Sequence, residues 1–156
     1  MLEITIPGRE KMIIENIVFD FNGTLAVDGR LRETIREMII DINKFLNVFI
    51  LTADIYGTVN KQCENLGVSI KTFPHENTGI EKKKIVQKLG KQKTITVGNG
   101  LNDIPMMEDS ILSIGVIGKE GASGKLLTNS DIIVNDIIDV FDMINNRDRI
   151  RATLRS

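Results

Sequence analysis

The sequence has one cysteine, one histidine and a formal net charge of only −1, and each of these scarcities limits the kinds of site or partner that the protein can have. Cys63 has no second cysteine with which to form an intramolecular disulfide, which is typical of a reducing compartment. His75 has no partner at the spacing of a histidine metal site. The balance of charge provides no overall positive field for nucleic acid or for an acidic membrane.

Long apolar runs are also missing. No stretch approaches the roughly 18 residues of a membrane-spanning helix, and the initial MLEITIPGREK lacks the apolar core of a signal peptide. We therefore predict a cytoplasmic protein with neither a membrane nor a nucleic acid as its partner. The 156 residues, 42% hydrophobic and 26% charged, are sufficient for one globular domain with a sizeable core.

Arginine is concentrated at the end of the chain, at positions 147, 149, 151 and 155. We predict a single domain over residues 1–145, followed by a basic C-terminal tail over 146–156. A charge run of this kind is more typical of a solvated helix end or a frayed terminus than of a binding surface.

Short apolar runs alternate with amphipathic stretches along the chain. The predicted strands are 2–6, 12–19, 47–52, 68–73, 93–97, 111–116 and 131–134, and the predicted helices are 31–46, 55–66, 78–89, 102–108, 122–127 and 137–144. Asp54 is predicted to cap the helix at Ile55, and Thr78 with Glu81 has the spacing of a capping box. Cys63 falls in register with Ile55, Val59 and Leu66 on the apolar face of the 55–66 helix and is predicted to be a small core residue. The alternation predicts a three-layer α/β domain with a central parallel sheet.

Three predicted strands are followed by polar or glycine-rich segments, at 20–24, 52–54 and 98–103. The carboxyl ends of parallel strands lie at one edge of the sheet, where such folds bind ligands. Asp20 offers a carboxylate, and Gly23 allows a sharp turn that directs backbone N–H groups at an anion. With the lysines at 82–84, these groups are suited to a hard divalent cation and a phosphoryl group.

Four motifs, in this order, resemble those of the haloacid dehalogenase (HAD) superfamily: VFDFNGTL at 18–25, FILT at 49–52, KKKIVQKLG at 82–90 and VGNGLNDIPMM at 97–107. The likeness is strongest to the phosphorylation domain of P-type ATPases and to soluble P-type ATPase-like proteins. It covers residues 14–144. It implies a Rossmann-like HAD domain, Mg²⁺ as cofactor and a phosphorylated substrate of unknown identity.

The resemblance implies a role for each matched residue. Asp20 would be the nucleophile and a metal ligand, and Thr52 and Lys82 would hold the phosphoryl group, with Lys83 and Lys84 as alternatives to Lys82. The residues implied in phosphate binding are Phe21, Gly23, Thr24, Thr52, Ala53, Lys82 and Asn102, and those implied in metal binding are Asp20, Asn22, Asn99 and Asp103.

Two positions depart from the superfamily pattern. Asn22 replaces the aspartate that serves as general acid/base, and an amide cannot transfer a proton near pH 7. Asn99 replaces a carboxylate that usually binds the metal. We predict a Mg²⁺-dependent phosphatase that forms an aspartyl-phosphate and turns over slowly. The alternative is a non-enzymatic regulatory module that binds phosphate or metal.

No insertion of domain size follows the first or second motif, so no large cap domain is expected. Residues 26–31 have the pattern of a small hairpin flap with its turn at Asp28-Gly29. Superfamily members without a cap tend to be shielded by neighbouring subunits or to act on large substrates. A homo-oligomer is therefore one way in which this site would be covered.

Overall fold

The computed structural model describes all 156 residues, which form eight strands and seven α-helices. The strands are β1 Leu2–Ile4, β2 Met12–Ile14, β3 Asn16–Phe19, β4 Asn47–Thr52, β5 Ser69–Thr72, β6 Thr94–Gly98, β7 Leu112–Val116 and β8 Ile132–Val134. The helices are α1 Glu33–Ile42, α2 Val59–Gln62, α3 Thr78–Leu89, α4 Ile104–Glu108, α5 Gly124–Thr128, α6 Ile137–Asn145 and α7 Arg147–Leu154.

Six strands form one parallel sheet in the order β5-β4-β3-β6-β7-β8, as the alternating pattern predicted. β1 and β2 form a separate antiparallel ribbon. The chain runs from β3 outward through β4 to β5 and then returns to β6 on the other side of β3. Phe19 in β3 is consequently paired with Ile50 in β4 and with Val97 in β6. The strand order reverses at β3, so the ends of these three strands meet at the position where such sheets bind ligands.

Alternate residues of β3 point into two different apolar layers, because successive strand side chains face opposite sides of a sheet. Phe19 packs with Phe141 of α6, and the two ring centroids are 5.6 Å apart. Val18 faces the other layer, where it packs with Val86 of α3 and Met106 of α4. The predicted three-layer α/β architecture is confirmed, and no cap domain is inserted after β3 or β4.

The predicted flap is present as a tight hairpin. The Val27 N–H donates to the Arg30 carbonyl at 3.1 Å, and the Arg30 N–H donates to the Val27 carbonyl at 3.0 Å. Asp28 and Gly29 have φ values of 51° and 72°, the left-handed pair that a type I′ turn requires.

The predicted helix 55–66 is wrong at both ends, since α2 spans only Val59–Gln62. Asp54 adopts a left-handed φ of 46°, and the Gly57 N–H donates to its carbonyl, so residues 54–57 form a turn. The Asp54 carboxylate still caps α2, because its Oδ1 accepts the N–H groups of Thr58 and Val59 at 3.1 and 3.2 Å. Val59 and Cys63 are buried as predicted, whereas Ile55 is 66% exposed.

Other boundaries also differ from the predictions. The predicted helix 31–46 is reduced to α1, and the predicted strand 12–19 is divided into β2 and β3 at Glu15. The predicted capping box is wrong, because Asn77 occupies the N-cap position and the Thr78 hydroxyl donates to the Pro74 carbonyl at 2.9 Å.

The C-terminal residues form the ordered helix α7 rather than a frayed end. Ile150 is fully buried in the main apolar core, and α7 packs on α6 and β1. The arginines occupy the outer surface of this helix, where Arg149 lies 3.5 Å from Asp142. None of the helices has both the length and the apolar character needed to cross a membrane.

Candidate active site

Asp20 lies directly after β3 and is the residue around which the polar groups gather. Its N–H donates to the Val97 carbonyl at 2.9 Å, which fixes the backbone against β6. The side chain is 9% exposed. The Lys82 ammonium donates to Asp20 Oδ1 at 2.6 Å and to Asp103 Oδ1 at 2.7 Å. The structure thus brings residues from β3, α3 and the loop after β6 into one buried cluster.

Of the three consecutive lysines, only Lys82 points into the molecule. Its side chain has no exposed surface, because this position of α3 faces the sheet. Lys83 lies 3.7 Å from Asp109, and Lys84 pairs with Glu81 at 2.7 Å, both at the surface. The lysine chosen from the sequence is the one that contacts Asp20.

Asp103 lies beneath Lys82 and positions the loop after β6. Its second carboxylate oxygen accepts the N–H groups of Asn99 and Gly100 at 3.1 and 3.0 Å. A Cβ atom on Gly98 would lie 2.5 Å from this oxygen, so the close approach requires glycine. Both oxygens of Asp103 are engaged by Lys82 and the loop, and we therefore assign this residue to positioning. Its role as a metal ligand stays a prediction.

The cluster contains two buried carboxylates and one ammonium group. Burial and the nearby Asp103 carboxylate raise the pKa of Asp20 to about 7, although Lys82 acts to lower it. Burial alone would lower the pKa of Lys82, but the charges of Asp103 and Asp20 outweigh burial and raise it. Lys82 is therefore protonated, and Asp20 contributes a negative charge to the cluster once it ionises near pH 7, which a bound cation would neutralise.

Thr52, the last residue of β4, has a hydroxyl proton that is available to donate to a ligand. Its oxygen accepts the Asp54 N–H at 3.0 Å, an interaction that depends on the left-handed turn at Asp54. The hydroxyl proton has no protein acceptor. A phosphoryl oxygen in front of Asp20 would provide one.

Asn99 connects the loop after β6 to the turn after β3. Its Nδ2 donates to the Gly121 carbonyl at 3.1 Å, and the Thr24 hydroxyl donates to its Oδ1 at 3.2 Å. Because a carbonyl only accepts, the contact with Gly121 determines the orientation of the amide. Gly23, with a φ of 79°, lies so close to Asn99 that a Cβ would collide with the amide.

A cavity of about 200 Å³ opens above this cluster. Its walls are formed by Asp20, Asn22, Thr52, Ala53, Ile55, Asn99, Gly100 and Asn102. Residues predicted from all three loop segments therefore meet in one cavity. Phe21 is fully buried, so it has only its backbone to offer a ligand. The sequence analysis missed Ile55, because the helical spacing placed its side chain on the buried face of a helix.

The oxygen atoms of this cavity suit a hard divalent cation. The Asn22 carbonyl accepts no hydrogen bond from the protein, and the Asn22 Oδ1 is buried without a partner. Together with Asp20 and Asn99 Oδ1, they provide carboxylate, carbonyl and amide oxygens, the donors that Mg²⁺ prefers. No group of three or more His, Cys, Asp or Glu side chains with metal-site geometry occurs anywhere in the chain. The fit therefore depends on neutral oxygens as well as on one carboxylate.

Sequence comparisons find two relatives in Methanocaldococcus jannaschii. An uncharacterized protein is 44% identical over 80 residues, a match that covers 49% of this chain and 86% of that protein. A soluble P-type ATPase-like phosphatase is 27% identical over 144 residues, which covers 90% of this chain but only 53% of the phosphatase. No family model matches the sequence.

Solved structures share the fold at low sequence identity. A 3-deoxy-D-manno-octulosonate 8-phosphate phosphatase from Moraxella catarrhalis, solved with magnesium, phosphate and the sugar acid, superposes with a TM-score of 0.71. The match covers 91% of this chain and 94% of that one at 16% identity. A haloacid dehalogenase-like hydrolase from Streptococcus pneumoniae has a TM-score of 0.60 and 15% identity, with 83% of this chain and 97% of that chain covered.

Proposed function

Since the chain belongs to the same family as the uncharacterized M. jannaschii protein and has the fold of HAD hydrolases, we propose that it is a HAD-type phosphatase. The reaction proposed is hydrolysis of a phosphomonoester through an aspartyl-phosphate on Asp20, with Mg²⁺ as cofactor. The resemblance to a soluble P-type ATPase-like phosphatase agrees with this reaction.

The observation that carries the proposal is the contact of Lys82 with both Asp20 and Asp103 beneath an open polar cavity. A buried lysine that serves stability alone would need no cavity above its partner. Here Asp20, which is paired with Lys82, also lines the cavity. The Thr52 hydroxyl and the Ala53 N–H belong to the same cavity wall and donate to no protein group. This arrangement is suited to an anionic ligand in front of a nucleophile.

In the proposed first step, Asp20 attacks the phosphorus atom. Lys82 holds Oδ1, which leaves Oδ2 to form the new oxygen–phosphorus bond while the bond to the leaving-group oxygen breaks. The Thr52 hydroxyl and the Ala53 N–H, which donates to no other protein group, hold the phosphoryl oxygens. Water then attacks the aspartyl-phosphate, which releases inorganic phosphate and restores the carboxylate.

The residues that would hold Mg²⁺ are Asp20, Asn99 and the carbonyl of Asn22. Bound there, the ion would neutralise the phosphoryl charge and the charge of the cluster. Asn22 has no acidic proton to give to the leaving group, and loss of a general acid/base typically costs about 10²–10⁴-fold in rate. We therefore propose slow turnover and a preference for aryl phosphates, whose leaving groups need no protonation.

The second candidate is a regulatory module that binds phosphate or metal without turnover. Asn22 favours this candidate, since an amide at this position has the shape of the carboxylate without its charge, and its buried Oδ1 has no partner. In this case the cavity would still bind a phosphate analogue, but Asp20 would never be phosphorylated.

Hydrolysis of p-nitrophenyl phosphate by the full chain, with and without Mg²⁺, tests the proposal. We expect Mg²⁺-dependent hydrolysis that Asp20→Asn abolishes. Asn22→Asp supplies the missing acid and should accelerate hydrolysis at least tenfold. Equal rates for wild type and Asp20→Asn would refute the phosphatase proposal. Absence of turnover in both wild type and Asn22→Asp, with retained binding of phosphate, would support the regulatory module.

A further inference from the structure

A second cavity, of about 210 Å³, lies beside the first one at the same edge of the sheet. Its walls come from the flap and from the ends of β7 and β8. Three basic side chains line it, Arg30 and Arg32 from the flap side and Lys119 from the loop after β7, together with one acid, Asp136. The cavity therefore carries a net positive charge in a chain whose own net charge is −1.

Only one of these basic groups is neutralised by the protein. Arg32 donates to Asp136 Oδ1 at 3.1 Å, and the same carboxylate oxygen accepts the Ile138 N–H at the start of α6. The side chains of Arg30 and Lys119 form no ion pair or hydrogen bond with any protein group. Two cations thus face the cavity without a counter-charge, which is typical of a site for an anion.

The turn after β3 separates the two cavities. Gly23 and Thr24 line the second cavity, and the Thr24 hydroxyl donates to Asn99, which lines the first cavity. Because Asn22 lines the first cavity and the next residue, Gly23, lines the second, a substrate that extends past this turn would reach from one cavity into the other. The second cavity is therefore in position to hold a part of the substrate that does not react.

Contacts on both sides hold the backbone of the flap next to Arg30. The Thr58 hydroxyl donates to the Gly29 carbonyl at 2.7 Å, and the Asp28 N–H donates to Glu120 Oε2 at 3.2 Å. The hairpin that carries Arg30 is thus attached to α2 and to the loop that carries Lys119. Because the backbone of this hairpin is already ordered, a ligand that binds there loses less affinity to the conformational entropy of ordering a loop.

We propose that the second cavity binds an anionic group of the leaving group, a carboxylate or a second phosphate, through Arg30 and Lys119. This inference rests on the proposed phosphatase function and narrows its substrate class. The preferred substrates are phosphomonoesters that carry a further negative charge. An ester with a neutral leaving group would leave both cations unpaired.

A pair of esters that differ by one carboxylate tests the inference: 3-carboxyphenyl phosphate and phenyl phosphate. The readouts are kcat/KM for each ester, and the Kd of each ester for the Asp20→Asn protein by calorimetry, which needs no turnover. We expect the carboxylated ester to be favoured about tenfold in both readouts, and Arg30→Gln and Lys119→Gln each to reduce that ratio severalfold.

Lys125→Gln is the matched control, because this exposed lysine lies on α5 outside both cavities, and it should leave the ratio unchanged. Equal preference for the two esters in the wild-type protein, or a preference that survives both cavity variants, would overturn the inference.

The experiment also distinguishes failure of the anion site from failure of the phosphatase proposal. Selective binding without hydrolysis would refute the phosphatase alone, whereas hydrolysis without selectivity would refute the anion site alone.

Discussion

At the scale of single residues, the central feature is a lysine buried between two carboxylates. An unpaired ammonium group in this position would be very costly, and its two short contacts with Asp20 and Asp103 offset the loss of water. Lys82 was selected from the three consecutive lysines because the superfamily's lysine stands three residues before an isoleucine, here Ile85. The left-handed conformation of Asp54 was not predictable, because it arises from the turn at Gly57 and the fit of its carboxylate onto α2.

Replacing Lys82 tests the importance of this cluster. Lys82→Met leaves two carboxylates buried without their counter-charge, and we expect it to abolish hydrolysis and to lower the free energy of unfolding by about 3–5 kcal/mol. Lys83→Met is the matched control, because its ammonium group lies 3.7 Å from Asp109 near the surface. Urea denaturation of both variants provides the measurement. Equal stability of the two variants would contradict the role given to Lys82.

The raised pKa of Asp20 predicts a specific pH dependence of stability without metal. Between its usual pKa of 3.8 and its folded value of about 7, the folded protein retains a proton that the unfolded chain releases. The contribution of Asp20 to stability is therefore complete below about pH 4 and is lost as the pH rises through 7. Asp20→Asn, which cannot ionise, should gain stability relative to wild type across this range.

Urea denaturation of both proteins in EDTA, at several pH values between 4 and 8, measures this difference. The other ionisable groups are common to both proteins and cancel largely in the comparison. Addition of Mg²⁺ should reduce the difference, because a cation beside Asp20 favours its charged form. If the free energies of unfolding of wild type and Asp20→Asn differ by the same amount at every pH, the pKa of Asp20 is not raised in the folded protein.

At the scale of elements, the bounds of strands and helices were predicted correctly where the apolar pattern of the sequence matches the face that the element buries. β4 and α3 have the predicted bounds, since each combines a clear apolar period with a definite end. The 55–66 segment has a helical period as well, yet its first turn is lost to the left-handed residues Asp54 and Gly57. Helix α7 was missed because a single buried residue, Ile150, anchors it among arginines, which gives no apolar stripe to recognise.

Ile150 provides the test for α7. Because its side chain is completely buried in the main core, Ile150→Ala should lower the free energy of unfolding by about 2–5 kcal/mol. Ile40→Ala removes the same atoms from a helix position that is 43% exposed, and its effect should be much smaller. Thermal and urea denaturation compare the two. If both variants lower the free energy of unfolding by the same amount, α7 does not contribute to the stability of the domain through Ile150.

At the scale of the whole molecule, the strand order determines where the site lies. The sequence predicted that three loop segments would meet, and the reversal of strand order at β3 explains how they do so. The second cavity could not be predicted, since its basic residues come from the flap and from the end of β7, segments that match none of the four motifs. The cavity above Asp20 has no cap domain over it, and shielding by a second copy of the chain remains a proposal.

The most direct test of the central claim is to identify the residue that becomes phosphorylated. The full chain would be mixed with p-nitrophenyl phosphate and Mg²⁺, quenched in acid, digested and analysed by mass spectrometry. We predict one phosphoryl group on the peptide that contains Asp20, removable by hydroxylamine as expected for an acyl phosphate and absent from Asp20→Asn. Hydrolysis that continues with no acyl phosphate on Asp20, or a phosphoryl group on another residue, would contradict the claim.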